Sequence, residues 1–465
     1  MINLAPVMFA SLAIILLLGF PAAFSLAANG LLFALIGIHF GLLDAGLLQA
    51  LPDRIMGIMS NQTLLAIPFF TFMGLILERS GMAEDLLTSI GQLFGGLRGG
   101  LAYAVIFVGI LLAATTGVVA ASVIAMGLIS LPVMLRYGYD AKLATGVIAA
   151  AGTLAQVIPP GLVLIVLADQ LGVPVGDMFR AAILPSAVLA GCYVLFVLVV
   201  SLVKPSAAPA LPLAERTLHG WRLAQRVSLA IFPPFALIML VLGGIFMGWT
   251  TPSEGGAMGA VGALLLAAIK RRLSMTLLRQ ATDRTLRLLS FVLFILIGST
   301  VFSLVFRGVN GDLWVEHLLS GLPGGRLGFL VVVNTLIFFL AFFLDFFEIA
   351  FIAIPLLAPV AQKMGIDLVW FGILLAVNMQ TSFMHPPFGF SLFYLRSVAP
   401  KSLPSTQIYL GALPFVLIQL LVVGLVIAFP NIISNAPQNT LTHGIINIPV
   451  DEQGYGDYYL PKEWR

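Results

Sequence analysis

The chain has 465 residues, 60% of them hydrophobic and 9% charged, with a mean hydropathy of +1.08. Soluble domains carry about 25% charged residues, so a water-soluble globular protein is excluded, and recurring apolar runs of about 20 residues predict an all-α polytopic membrane protein. Basic and acidic residues nearly balance, 23 against 20, so the charge gives no reason to expect a nucleic-acid partner and the position of each charge is more informative than their sum.

Residues 4–20 and 22–40 form two apolar segments hinged at Gly19 and Pro21. The first lacks the basic start and small-residue cleavage site of a signal peptide and is expected to be a span. Residues 44–58, carrying Asp44, Asp53 and Arg54, suit a helix lying in the membrane interface. A span over 64–77 should end at "ERSGM", where charge and Gly81 give a stop signal. From 101 to 203 the chain is almost continuously apolar, interrupted by "ATTG" (114–117), "LRYGYDAK" (135–142), "IPPG" (158–161) and "GVPVGD" (172–177). The single cysteine, Cys192, lies in this stretch as a small core hydrophobe; one thiol forms neither a disulfide nor a thiolate cluster within the chain.

Residues 204–226, "KPSAAPALPLAERTLHGWRLAQR", are the clearest linker. Two spans, about 228–248 and 255–269, meet at "GWTTPSEGG" and lead into a second basic segment, 270–287. Two spans joined by a tight turn return the chain to one side, so both basic segments face one compartment, the cytoplasm by the positive-inside rule; "RGVNGDLWVEH" (307–317) then lies outside. The last span ends near Phe429, and 430–465 is a polar, loosely ordered tail. The organisation expected is a first half over 1–203, the linker, a second half over 227–429 and the tail, with about 11–12 spanning segments plus broken helices.

The halves echo each other. "SLP" (130–132) and "IPP" (158–160) are matched by "AIP" (353–355) and "HPP" (385–387), with 28 residues from Pro132 to Pro160 and 32 from Pro355 to Pro387. Ser122 and Asp345 each stand ten positions before the single proline. Chance pairing of prolines is the alternative; a duplicated unit is the usual build of secondary transporters, whose binding sites form where discontinuous helices of the two repeats meet.

The chemistry concentrates at these interruptions. A proline within a helix costs roughly 3 kcal/mol, and lipid supplies no water for the freed carbonyls. "VIPPG" and "MHPPFG" therefore suit either packing kinks or unwound segments whose helix ends and carbonyls receive a cation or an anion. Asn378, Thr381, Ser382 and His385 fall at i, i+3, i+4 and i+7, one face of a helix. Such a stripe faces either a cavity or a seam between helices. His385 suits a proton site, a substrate contact or a capping donor. It lacks the neighbours of a metal site. Asp345 and Glu348, at i and i+3, are costly in an apolar span, about 2.5–3.5 kcal/mol at a helix centre, and either neutralises a coupling cation. Asp345 is favoured for its repeat-related position. Thr115, Thr116, Gly117 and Ser122 offer oxygens for Na⁺ or simply bond back to their own helix. Gly152, Thr153 and Gln156 precede the first proline pair.

At these residues the sequence resembles the large membrane subunit of tripartite ATP-independent periplasmic (TRAP) transporters over roughly residues 1–430. The marks are "LLAIPFFTFMGLILERSGM" (64–82), "LPVMLRYGYD…AAGTLAQVIPPG", "WTTPSEGGAMGA" (249–260) and the "D…IP…NMQTSFMHPPFG" pattern. The resemblance implies a Na⁺-driven, elevator-type importer of the bacterial inner membrane, with a scaffold and a moving transport domain built from inverted repeats. It implies no cofactor beyond the coupling ion. The partners implied are a small membrane subunit from another gene and a periplasmic binding protein that delivers the substrate, usually an organic acid. Carried over, Thr115, Thr116, Gly117, Ser122, Gly152, Thr153, Pro159 and Pro160 in the first half line the sites. Asp345, Asn378, Ser382, His385, Pro386, Pro387 and Gly389 do so in the second. Thr116, Ser122, Asp345 and Asn378 are the Na⁺ candidates. Many relatives read Thr-Pro-Pro where this chain has His385-Pro386-Pro387, and "FMHPPFGFSLFYLR" resembles the branch associated with mannitol and chloroaromatic compounds. A stand-alone anion or dicarboxylate carrier is the rival within transport. An intramembrane enzyme using Asp345, Glu348 and His385 is the rival outside it, although no HExxH or comparable motif accompanies them.

Overall fold

A computed structural model describes residues 4–434 except 118, 217–218, 343 and 387–388; the tail expected over 430–465 lies outside the described residues from 435 onward. The described residues form 21 α-helices, several 3₁₀ turns and no strand. An entry group comprises α1 (Leu4–Leu17), α2 (Ala22–His39), α3 (Leu51–Met59), α4 (Ala66–Arg79) and α5 (Met82–Phe94). Then come α6 (Gly100–Thr116), α7 (Val119–Arg136), α8 (Ala141–Thr153), α9 (Leu162–Leu171) and α10 (Val175–Val203). A middle group follows: α11 (Gly220–Phe246), α12 (Pro252–Ile269), α13 (Met275–Gly308) and α14 (Gly311–Ser320). The chain closes with α15 (Gly325–Leu340), α16 (Phe346–Ile352), α17 (Ile354–Lys363), α18 (Leu368–Gln380), α19 (Phe390–Val398), α20 (Ser405–Ala428) and α21 (Asn431–Ser434).

Seven helices are long and apolar enough to cross a membrane, and two bent pairs, α14–α15 (116°) and α16–α17 (52°), raise this to nine. The remainder of the expected segments falls on shorter apolar helices such as α1 and α9. Gly19, with φ +82°, makes the hinge between α1 and α2. The 45–59 segment buries no side chain, in keeping with an interfacial position. "WTTPSEGG" is a helix start: Thr251 and Glu254 form a capping box at the head of α12, each side chain satisfying the other's backbone N–H. Cys192 is partly buried and packs against the core.

The linker is less extended than expected. α11 begins at Gly220, because "WRLAQR" carries no breaker and simply prolongs the span. Residues 204–216 instead run along the α5–α6 and α7–α8 turns, with Gly99 N–H donating to the Ala208 carbonyl and Leu211 N–H to the Gly95 carbonyl, both at 2.9 Å. Both basic segments touch α5: Gln92 donates to the Glu215 carbonyl (3.0 Å), while Lys270 and Arg272 pair with Asp85 (3.2 and 3.1 Å). In the α7–α8 turn the Tyr139 hydroxyl accepts from Leu101 N–H, and burial pushes its pKa up to about 12.

The repeat is tighter than the proline pattern suggested. α7 begins at 119 and ends at 136, and the bent pair α16–α17 begins at 346 and ends at 363, each 227 positions later. Asp140 and Asp367 cap α8 and α18, both helices have 13 residues, and 3₁₀ turns follow over 154–156 and 381–383. In this register Pro132 matches Pro359, not Pro355, and the spacing to the second proline is 28 in both halves, Pro132 to Pro160 and Pro359 to Pro387. Ser122 therefore matches Ile349, and the pairing of Ser122 with Asp345 is corrected: Asp345 falls opposite position 118. The repeats lock together through glycine. A Cβ on Gly146 of α8 would run into the Gly411 carbonyl of α20, and one on Gly411 into the Lys142 carbonyl. Elsewhere α2 lies along α13, where a Cβ on Gly298 would meet the Ala23 carbonyl.

Candidate functional site at four helix interruptions

Each repeat contributes two interruptions. The first is at Gly117, where a left-handed residue (φ +57°) ends α6 and lets α7 start at Val119. Thr115 and Thr116 close α6, but their side chains lie outside the described residues. Ser122 is buried in the first turn of α7.

The second interruption follows α8. Its last turn tightens into 3₁₀, and Pro159 and Pro160, joined by a cis peptide, are buried. Gly161 is required there: a Cβ would lie 2.9–3.1 Å from the carbonyls of Ala155, Gln156 and Ile158. Ser186 of α10 donates to the freed Val157 carbonyl at 2.9 Å, the internal satisfaction that a lipid setting demands. Gly152 packs on Val123 of α7 and Thr153 bonds to Gln380 (3.0 Å).

The third interruption precedes α16. Sequence spacing placed Asp345 and Glu348 within a span; the structure places them at a helix start. Asp345 is the N-cap, its Oδ1 accepting from Glu348 N–H (2.8 Å) while Glu348 Oε2 accepts from Asp345 N–H (2.9 Å). Negative charge is favourable at this end of a helix, which resolves the cost that a mid-helix carboxylate would carry.

The fourth interruption, 381–389, corrects the polar stripe. α18 stops at Gln380, so Asn378, Thr381, Ser382 and His385 do not share a helix face. Thr381 and Ser382 hydroxyls donate to the carbonyls of Asn378 and Met379, both at 2.6 Å. Asn378 Nδ2 donates to the Asn334 carbonyl and side chain of α15 (2.8 and 3.0 Å), leaving its Oδ1 buried without a partner. His385 is 2% exposed, stacked on Phe342 (4.5 Å) and edge-on to Phe338 (4.2 Å), with no hydrogen-bond partner on either ring nitrogen. Gly389 closes the loop by donating to the His385 carbonyl at 2.6 Å. Here Ser391 donates to the Phe383 carbonyl, a bond of the same kind as Ser186 on Val157 but at positions the repeat does not relate. Pro386 is partly exposed, and Pro387 lies outside the described residues.

All four interruptions meet around a cavity of about 300 Å³. Gly117 and Val119 come from the first, Gln156 and Leu162 from the second, Asp345 and Phe346 from the third, Phe383 and Phe390 from the fourth. Leu288 and Phe291 of α13 close it. Two further cavities, of about 280 and 440 Å³, lie by the linker and by the 250–252 turn, and none of the four interruptions lines either of them. Of the residues singled out from sequence, Gly117, Gln156 and Asp345 line the cavity. Gly152, Thr153, Pro159, Pro160, Asn378, Ser382, His385 and Gly389 stand behind its walls and shape the interruptions.

Sequence reasoning passed over the aromatic lining, Phe291, Phe346, Phe347, Phe383, Phe390 and Tyr394. Rings flank both second-half interruptions in "LDFFEIAF" and "FMHPPFGFSLFY", but in an apolar span such residues carry no mark of facing a cavity. Among the described residues no group of three His, Cys, Asp or Glu side chains is placed to hold a metal ion.

Interrupted helices of two repeats meeting around a common cavity define a membrane transport protein. The family model described as "Tripartite ATP-independent periplasmic transporter, DctM component" matches residues 9–432, and the chain belongs to this family as a large permease component, a multi-pass inner-membrane protein rather than an enzyme. A C4-dicarboxylate large permease protein of Pseudomonas aeruginosa is 31% identical over 382 residues, 82% of this chain and 87% of that one. A sialic acid large permease protein of Vibrio cholerae is 26% identical over 432 residues, 92% of this chain and 97% of that one. Among solved structures, the YdaH transporter of Alcanivorax borkumensis shares the fold with a TM-score of 0.64, at 16% identity, over 88% of this chain and 99% of that one.

Proposed function

We propose that the four-walled cavity is the binding site of a Na⁺-coupled importer for an organic anion, and the observation that carries this reading is that two interruptions from each repeat reach it. The helices α7, α9 and α19 begin at Val119, Leu162 and Phe390, all on the cavity wall. Their unpaired N–H groups and partial positive charge suit a carboxylate without a basic side chain. Gln156 adds a polar group to the same wall: it is 2% exposed and its amide oxygen has no partner. For the coupling ion, Asp345 on the wall and the orphaned Asn378 Oδ1 behind it are oxygen donors of the kind Na⁺ takes. Thr116 and Ser122 complete the candidate set.

The lining also bears on the substrate. Six aromatic rings face the cavity, while its described polar side chains are Gln156, Asp345 and Tyr394, with no Lys, Arg or His. A polyol such as mannitol requires many hydrogen-bond partners and a dicarboxylate presents two charges, whereas an aryl carboxylate stacks on rings and directs one charge at the helix starts. An aryl-bearing monocarboxylate is therefore the substrate class the wall favours.

The transport domain carrying the four interruptions moves as an elevator against the scaffold around α2, α4, α12 and α13, the repeats being inverted. A separate small membrane subunit and a periplasmic binding protein complete the assembly. The test is uptake of labelled benzoate, succinate and mannitol by the chain reconstituted with both partners. Benzoate uptake that needs the Na⁺ gradient and the binding protein supports the reading. Equal uptake without that protein makes the chain a stand-alone carrier, and uptake indifferent to Na⁺ removes the coupling.

A further inference from the structure

Thr153 and Gln380 are the last residues of α8 and α18, at equivalent places 227 positions apart, and they touch: Gln380 Nε2 donates to Thr153 Oγ1 at 3.0 Å. Equivalent residues of two repeats meet only near the axis that relates them, so this contact marks where the repeats face each other. It does not stand alone. Thr153 Oγ1 donates onward to the Ala150 carbonyl (2.8 Å) and lies within electrostatic reach of the Tyr193 hydroxyl of α10, which itself accepts from Gln419 Nε2 of α20 at 2.9 Å. All four side chains are 0% exposed. The chain thus joins α8 with α18 and α10 with α20, the two pairs of helices that occupy the same places in the two repeats.

Its location gives it a consequence. Immediately after Thr153 the backbone enters the 154–161 interruption, and immediately after Gln380 it enters the 381–389 interruption. Both interruptions line the cavity, the first through Gln156 and Leu162, the second through Phe383 and Phe390. We propose that the buried chain Gln380–Thr153–Tyr193–Gln419 is a positioning device that sets the separation of the two proline interruptions, and through it the affinity for Na⁺ and organic anion, although none of the four residues touches either. The link to affinity rests on the cavity being the binding site; the link to wall separation does not. Buried hydrogen bonds to neutral groups are expensive to break because the surviving partner is left unsatisfied, so loss of the Thr153 hydroxyl lets the walls part rather than re-pair.

Two measurements on the full-length Cys192→Ser protein test this. The first places spin labels at Gln170 and Ser397, on the far turns of α9 and α19, and reads the interlabel distance without ligand. Thr153→Val and Gln380→Leu should lengthen or broaden the distribution, Thr153→Ser should restore it, and an unchanged distribution in both disrupted variants overturns the proposal. The second titrates Na⁺ and benzoate against thermal unfolding. Binding weaker by roughly 2- to 10-fold in Thr153→Val, with recovery in Thr153→Ser, supports it. A lower ligand-free midpoint with unaltered affinity reduces the chain to a structural pin and also overturns it. A wild-type protein that responds to neither ligand sinks the proposed binding cavity instead, and the distance measurement still decides whether the chain sets the walls.

Discussion

Asp345 is both a helix cap and a charge, and the two roles separate experimentally. Asparagine caps a helix about as well as aspartate, so Asp345→Asn should preserve the start of α16 and expression while weakening Na⁺ dependence of uptake at least ~10-fold, the size of a lost charge-assisted contact. Unchanged Na⁺ dependence would remove Asp345 from the ion site. His385 poses the opposite case, a polar group in an aromatic slot. Two orphaned ring nitrogens cost on the order of 1–3 kcal/mol each, so His385→Phe, which keeps the stack on Phe342 and Phe338, should raise the unfolding midpoint. His385→Gln should lower it. A Phe variant that is stable yet loses uptake would show that the nitrogens meet a ligand in another state of the transport cycle. Neither role was legible in sequence, because a residue type at a helical spacing does not say where the helix stops.

At the scale of elements, proline pairs have two outcomes in one chain. Pro233 and Pro234 lie inside α11, which continues to Phe246, whereas Pro159, Pro160 and Pro386 stand in interruptions between helices. The difference lies in what surrounds the pair. The two interruptions begin with a 3₁₀ turn, carry Gly161 or Gly389 where a side chain has no room, and have Ser186 or Ser391 ready for the freed carbonyl. Glycine and serine are visible in sequence, but the serines act from 29 and 8 residues away. The capping box at the head of α12 was visible as "TTPSEGG", and Thr251→Ala should cost about 1 kcal/mol, read as a lower unfolding midpoint with transport otherwise intact. Gly411→Leu should be far worse. Its side chain would occupy the space of the Lys142 carbonyl and come within 2.8 Å of Thr145 Oγ1, and the expected outcome is loss of folded protein in the membrane.

Over the whole molecule, the repeat determines how the site is assembled. The 227-residue displacement carries α7, the α8 cap, the 3₁₀ turn and the proline pair from one half onto the other, so interruptions formed independently arrive at a common cavity. If the cavity wall selects an aryl carboxylate, Phe390→Ala should weaken benzoate binding by roughly 2- to 10-fold, the value of one ring contact, with little change for succinate. Equal losses for both would mean that the variant damages the site as a whole.

Composition and apolar periodicity alone determined the membrane class, the first spans, the pair of spans that meets at "GWTTPSEGG" and the existence of a repeat, because each follows from local hydropathy or spacing. The register of that repeat, the helix-start position of Asp345, the end of α18 before the supposed polar stripe and the aromatic wall of the cavity were decided only by tertiary structure. Hydropathy reports that a residue avoids water; it does not distinguish lipid, a packed neighbour and a binding cavity, and that choice is made by which interruptions the folded repeats bring face to face.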